Sequence, residues 1–156
     1  VHVGHARDRQ LPYSIRSIRT ADHLYIINFT PDRAPMGDLL ALEKGPMTFN
    51  ELAGKTRLTY ADVDAGPTKA WMILNRNKPE FKYHWNLGFG ARSGEELYAL
   101  KSDPHQVKNL ASDTKYKTVK AKLRAQLMAE LRKHNDPRLN GDQFDYPPYC
   151  KEGLKK

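Results

Sequence analysis

Two short runs near the start of the chain carry the pattern of β-structure. Ser14-Ile15-Arg16-Ser17-Ile18-Arg19 and His23-Leu24-Tyr25-Ile26-Ile27-Asn28-Phe29 are rich in β-branched and aromatic residues, and Thr20-Ala21-Asp22 between them is short enough for a tight turn. Residues 13–29 therefore predict a hairpin. In the second run Leu24, Ile26 and Asn28 oppose Tyr25, Ile27 and Phe29; in the first, Ile15 and Ile18 bracket a change of face, which predicts a bulge or twist near Ser17. Glu95-Glu96-Leu97-Tyr98-Ala99-Leu100 alternates again and predicts a strand over 95–101, broken by Asp103-Pro104. The strongest periodicity follows. Tyr116, Val119, Leu123, Leu127 and Leu131 recur at spacings of three and four between a capping Asp113 and a stop at Asn135-Asp136-Pro137, predicting an amphipathic helix over 113–134. Residues 135–156 read as an extended tail.

Between the hairpin and the later strand, residues 30–94 show no sustained period and read as irregular loops with short helices. Asp38 to Lys44 has room for about two turns, and Pro67 suits the first position of a helix through Leu74 that ends near Asn77. Trp71, Ile73, Leu74, Phe81, Tyr83, Trp85, Leu87 and Phe89 add much apolar area, and the alternation from Phe81 to Phe89 also admits an extended strip beside the short helices. That much aromatic mass in a connection predicts packing against a neighbour, one larger than the chain itself supplies. The fold class that results is α+β: a small antiparallel sheet packed against one long C-terminal helix.

Composition narrows the picture only in part. The 156 residues, with 39% hydrophobic and 28% charged, fit one domain, and no apolar run approaches the roughly 20 residues of a membrane span, so no membrane partner is expected. The chain starts at Val1 with no basic-then-apolar leader, so no signal peptide is visible and the true start is expected elsewhere. One cysteine, Cys150, precludes an internal disulfide and a cysteine-built zinc site. The net charge of +8 favours polyanions such as sulfated glycans, nucleic acid or anionic membrane surfaces, and an independent basic polyanion-binding module is one class of function it permits. A basic surface that only keeps the chain soluble is the plainer alternative.

No set of residues forms a recognisable catalytic constellation. His2, His5, Asp8, the Asp62/Asp64 pair and Asp103/His105 lack a diagnostic metal-ligand spacing, and solvated or locally hydrogen-bonded side chains explain them more simply. The serines sit in no nucleophile elbow, no Gly-rich phosphate loop occurs, and Cys150 has no identifiable base. The basic residues of the long helix lie mostly opposite Leu123 and Leu127, which predicts a solvated face. Arg16 and Arg19 differ: among buried-type residues a guanidinium needs a carboxylate or carbonyl partner, or a bound anion, and structural pairing is the favoured explanation.

Two stretches resemble the type I sulfatases. Arg16-Ser17-Ile18-Arg19-Thr20 with Leu24-Tyr25-Ile26-Ile27-Asn28-Phe29 resembles the Arg-rich and Tyr-rich strands that open their C-terminal subdomain. Glu96-Leu97-Tyr98-Ala99-Leu100, Asp103-Pro104, Gln106 and Asn109-Leu110-Ala111 are similar to a family signature that a long helix follows. Within the family the heparan N-sulfatase branch looks nearest, through Tyr13 to Ser17, Gly66-Pro67-Thr68 and His134-Asn135-Asp136-Pro137, whereas Pro31 to Asp62 matches poorly.

The resemblance makes residues 1–156 a C-terminal subdomain that supports a catalytic domain and lines a pocket rim, with Arg16, Arg19, Tyr25, Glu96, Leu97, Tyr98, Asp103, Pro104 and Asn109 as structural motif residues. Family members cleave sulfate esters or sulfamates with a formylglycine, made in a Cys/Ser-x-Pro/Ala-x-Arg motif, and a calcium ion. Both are expected in an N-terminal domain that is this chain's implied partner. Cys150 is followed by Lys-Glu-Gly and does not match, so no catalytic residue and no metal ligand is expected here. His5, Arg7 and Arg9, just ahead of the matching strand, are the residues expected to touch a sulfated carbohydrate substrate. Nucleic acid is not an expected partner, and the compartment the family implies is periplasmic, extracellular or lysosome-like.

Overall fold

The hairpin turns at Thr20. Its backbone N–H donates to the His23 carbonyl (2.8 Å), and its Oγ1 accepts from the backbone N–H groups of Asp22 (3.3 Å) and His23 (3.0 Å), so one side chain satisfies the donors that the turn frees. The computed structural model, which describes residues 2–6, 12–37, 42 and 44–140, places strands β2 (Pro12–Arg19) and β3 (His23–Asn28) on either side of that turn. Strand β1 (His2–Ala6) pairs with β2 and β4 (Glu95–Ala99) with β3, giving an antiparallel sheet of four strands in the order β1-β2-β3-β4. The sequence pattern had not marked β1 as a strand.

The β2–β3 register runs without a break from Ile15 opposite Asn28 to Arg19 opposite Leu24. Ile15 and Ile18 therefore lie on opposite faces through ordinary alternation, and the bulge expected near Ser17 is not there. The irregularity falls instead between Gly4 and Ala6, where β1 meets β2 at the sheet edge.

This register puts Arg16, Ile18, Tyr25, Ile27, Glu95 and Leu97 on one face. Helix α4, the fourth in chain order (Lys117–Lys133), packs on it: Leu123, Leu127 and Leu131 are buried with Tyr25, Ile27, Leu97, Leu110 and Ala111. The expected cap is present, since Asp113 Oδ1 accepts from the Lys115 N–H (3.0 Å) and opens a short 3-10 turn, Thr114–Tyr116, ahead of the helix. At the other end Asn135 takes φ +50°, its N–H donates to the Arg132 carbonyl (3.1 Å), and the Asp136 N–H donates to the Leu131 carbonyl (2.9 Å). That pair of bonds is a Schellman ending, and Pro137 bars continuation. The segment predicted to be extended after the helix is thus a helix cap followed by a 3-10 turn, Pro137–Asn140, while the rest of that tail, Cys150 included, lies outside the described residues.

Residues Asp32–Arg92, inserted between β3 and β4, form a second compact unit; Val1–Pro31 and Ser93–Lys156 form the first. Three helices build the second: α1 (Phe49–Gly54), α2 (Pro67–Asn75) and α3 (Lys82–Phe89). Helix α1 opens with a capping box, Thr48 Oγ1 accepting from the Glu51 N–H (3.3 Å) and the Glu51 carboxylate accepting from the Thr48 N–H (3.0 Å). Helix α2 starts at Pro67 as expected. The helix anticipated at Asp38–Lys44 falls mostly outside the described residues.

The alternation from Phe81 to Phe89 is a helix, not an extended strip. Phe81, Trp85 and Phe89 recur every fourth residue as well as every second, and the helical reading wins because it stacks Trp85 on Phe89 (4.4 Å, 7°). Tyr60 meets both edge-on, at 5.5 and 5.0 Å, within a core that also holds Leu52, Ala70 and Ile73.

Candidate functional site

Asn109 explains why the Glu96 to Ala111 stretch has its form. Strand β4 is an edge, and an open edge would leave unpaired N–H and C=O groups. Asn109 Oδ1 accepts from the backbone N–H of Leu97 (2.9 Å) and of Ala111 (2.9 Å), while its Nδ2 donates to Ser93 Oγ (3.0 Å) and the Glu95 carbonyl (3.2 Å). The Leu110 N–H then donates to the Leu97 carbonyl (2.8 Å), so the loop seals the edge and drops Leu110 and Ala111 into the core. Asp103 shapes the same loop. Its carboxylate accepts from the N–H of Lys108 (2.9 Å) and of Val107 (3.2 Å), and these bonds, Lys108 foremost, hold it below the usual carboxylate range. Pro104 fixes the backbone inside the turn that Asp103 closes.

Alternation along β4 separates Leu97 from its neighbours. Leu97 is fully buried beneath α4, whereas Glu96 and Tyr98 project from the opposite face, both buried, with the Tyr98 hydroxyl donating to the Glu96 carboxylate. On the helix side the Tyr25 hydroxyl donates to Glu95. Burial and that bond push Tyr25 up to about 12, while the same bond, Lys120 and Arg124 hold Glu95 low. Lys120 Nζ reaches Glu95 Oε2 at 3.1 Å and Arg124 reaches Oε1 at 3.3 Å. These two cations of the supposedly solvated helix face thus tie α4 to the sheet.

Arg16 receives the carboxylate partner that its position demanded. Its Nε donates to Asp136 Oδ2 (2.7 Å) and a terminal nitrogen to Oδ1 (3.1 Å), a two-point pair with Arg16 only 1% exposed. A further N–H donates to the Ile15 carbonyl (2.8 Å). The Schellman ending of α4 delivers Asp136 to this spot. Burial raises the Asp136 carboxyl, but the Arg16 hydrogen bond, the Arg138 N–H and both arginine charges outweigh it and leave it below the usual range. Arg19, by contrast, is exposed.

The second unit holds a buried cation that no sequence signal singled out. Lys69, 3% exposed, donates to the carbonyls of Val63 (2.7 Å), Thr56 (2.9 Å) and Tyr60 (3.1 Å). Three convergent carbonyls satisfy all three N–H groups of an ammonium. Burial still lowers its proton affinity, against the opposing charge of Asp64. Tyr60 takes φ +45° there, and Gly37 passes so close that a Cβ would meet the Ala61 nitrogen at 2.8 Å. The one clue in the sequence is a lysine on the inward stripe of α2 beside Ala70 and Ile73.

Of the expected substrate contacts, His5 lies in β1 at the register shift, and Arg7 and Arg9 lie outside the described residues. Among the described residues no group of three His, Cys, Asp or Glu side chains comes together to hold a metal ion, and no helix is long and apolar enough to cross a membrane. The residues the signature gathers are therefore hydrogen-bonding and ion-pair devices that fix the sheet, its edge and its helix.

What this arrangement defines is an α+β unit of four antiparallel strands and one long helix. No family model matches the chain. It is similar to the Delta 4,5-hexuronate-2-O-sulfatase of Bacteroides thetaiotaomicron, 37% identical over 93 residues, a match covering 50% of this chain and 18% of that protein. The similarity is a relationship to a sulfatase over part of the chain, which spans less than a fifth of that relative's length.

Proposed function

We propose that this chain is the C-terminal supporting lobe of a formylglycine-dependent sulfatase that acts on a sulfated sugar. The observation that carries the reading is the 37% identity to a hexuronate-2-O-sulfatase. The architectural character of the Glu96 to Ala111 stretch supports it, because a lobe that braces another needs a sealed sheet edge and a fixed helix more than it needs chemistry. Formylglycine would supply the nucleophile that attacks the substrate's sulfur and calcium would stabilise charge on the sulfate oxygens; neither the described side chains nor the sequence around Cys150 fit them, so both are assigned to a second lobe, and no step of the reaction is routed through this chain. Its own contribution is to hold that lobe and to present His5, Arg7 and Arg9 to an anionic sugar.

The test uses the full-length polypeptide that carries this chain. Sulfate release from a 2-O-sulfated unsaturated hexuronate disaccharide is the expected result, with kcat/KM reduced by His5→Ala and Arg7→Ala. Unchanged kcat/KM in both variants would remove those residues from the substrate site. Preferential release from N-sulfated glucosamine would instead favour the N-sulfatase likeness of Gly66-Pro67-Thr68 and His134 to Pro137. The net charge of +8 supports a second reading, an independent polyanion-binding module. Salt-sensitive heparin binding by the 156-residue chain, with no sulfate release by the full-length polypeptide, would establish that one instead.

A further inference from the structure

The charge of the chain is unevenly placed. Residues 101–134 carry nine of its lysines and arginines against three carboxylates, Asp103, Asp113 and Glu130. None of the three is spare: Asp103 accepts from the Val107 and Lys108 N–H groups, Asp113 caps the turn ahead of α4, and Glu130 lies 3.5 Å from His134. Among the cations, Lys101 pairs with Asp22, and Lys120 and Arg124 pair with Glu95. Lys117, Lys122, Arg132 and Lys133 are exposed, and among the described residues no carboxylate comes within ion-pair distance of them. Helical geometry sets where these four stand. Leu123, Leu127 and Leu131 face the sheet, so at about 100° per residue Thr118, Ala125 and Ala129, all exposed, run along the middle of the outer face. Lys122 and Lys133 flank that line on one side and Lys117 and Arg132 on the other, over about 24 Å of helix axis. A merely solvated face is built differently. Surface helices intersperse Glu with Lys at spacings of three and four, and they favour acids over cations in the first turn, where the macrodipole is positive. Beyond the capping Asp113, the outer face of α4 has no carboxylate, and its first turn holds Lys117 and no acid. A local rule broken with no gain inside the fold marks a functional surface.

We infer that the outer face of α4 is a binding surface for a sulfated glycan chain, held through Lys117, Lys122, Arg132 and Lys133. Charge complementarity carries the choice. Ammonium and guanidinium groups give sulfates and carboxylates charge-assisted hydrogen bonds, and the small side chains between them let a polymer lie close to the helix. Other polyanions fit less well. An anionic membrane is entered by large apolar side chains, and those of α4 are turned to the sheet. Single-stranded nucleic acid stacks its bases on aromatic side chains, and α4 contains none. Four cations over about 24 Å match anions spaced one or more sugar units apart better than they match a nucleic-acid duplex, which carries a charge every ~1.7 Å of its axis. The sulfatase reading agrees with this choice and does not carry it, and the face shares no residue with the set His5, Arg7 and Arg9.

The test is titration of the whole 156-residue chain with heparin at several salt concentrations. Two triple variants remove the same charge: Lys122→Gln/Arg132→Gln/Lys133→Gln on α4, and Lys55→Gln/Lys78→Gln/Lys82→Gln in the second unit, where all three lysines are also exposed. Far-UV circular dichroism verifies that each variant is folded. The inference predicts binding that weakens about tenfold or more in the α4 variant, with a shallower salt dependence, and less than about threefold in the other. Equal losses in the two variants, which net charge alone would give, no binding at about 0.15 M salt, or tighter binding of duplex DNA than of heparin would overturn it. Sulfate release by the full-length polypeptide is a separate readout, so failure of this face and failure of the enzymatic reading are distinguishable.

Discussion

Arg16 and Asp136, 120 positions apart, show how a single ion pair can set the geometry of a lobe. The pair joins a central strand to the cap of α4, and it is almost dry. Removing the cation alone strands the carboxylate, so Arg16→Met is expected to destabilise the first unit by about 3 kcal/mol, read as a lower urea midpoint by circular dichroism. The held-down Asp136 and Glu95 carboxyls also set a pH dependence. A carboxyl whose folded pKa is depressed contributes stability that is full above its unfolded value, about 4, and fades as pH falls through the folded value. Acid unfolding of the first unit should therefore begin below about pH 4, and Asp136→Asn should flatten that limb. Tyr25 marks the alkaline side, its raised pKa stabilising below about 10 and fading toward about 12. Lys69→Met is expected to take that donor from the Thr56, Tyr60 and Val63 carbonyls, of which the Tyr60 carbonyl keeps the Val63 N–H (3.0 Å), and to cost about 2 kcal/mol in the second unit. Both tryptophans, Trp71 and Trp85, lie in that unit, so tryptophan emission is the probe that follows it selectively.

Elements were legible in the sequence where one periodicity ruled. The hairpin, β4 and α4 each show an apolar stripe that a single face of the fold consumes, and Leu127, fully buried at the centre of that stripe, should cost about 3 kcal/mol on replacement by alanine. Asn109→Ala, which reopens the edge of β4, should cost about 2 kcal/mol and promote self-association detectable by light scattering. Helix α3 misled because spacings of two and four coincide for Phe81, Trp85 and Phe89, and only the stacking of Trp85 on Phe89 decides between them. Helix α1 was readable from Thr48-Phe49-Asn50-Glu51, a capping box that precedes too short an apolar pattern to stand out. Asp136, Glu95 and Lys69 stayed hidden for a different reason. Their roles come from partners far along the chain or from backbone carbonyls, and the one local trace is the place of Lys69 on the inward stripe of α2.

At the scale of the molecule, the aromatic region expected to cover a larger neighbour has a core of its own in Tyr60, Trp85 and Phe89, and among the described residues Trp71, Leu74, Phe49 and Tyr83 are its markedly exposed large apolar side chains. The case for a supporting lobe therefore passes to the first unit, where the sulfatase-like motif residues brace sheet, edge and helix without forming a site of reaction among the described residues. That division of labour has one direct test: sulfate release from 2-O-sulfated hexuronate by the 156-residue chain and by the full-length polypeptide that carries it. The account predicts release by the full-length polypeptide and none by the chain alone; turnover by the chain alone, or no turnover of any sulfated sugar by the full-length polypeptide, would contradict it.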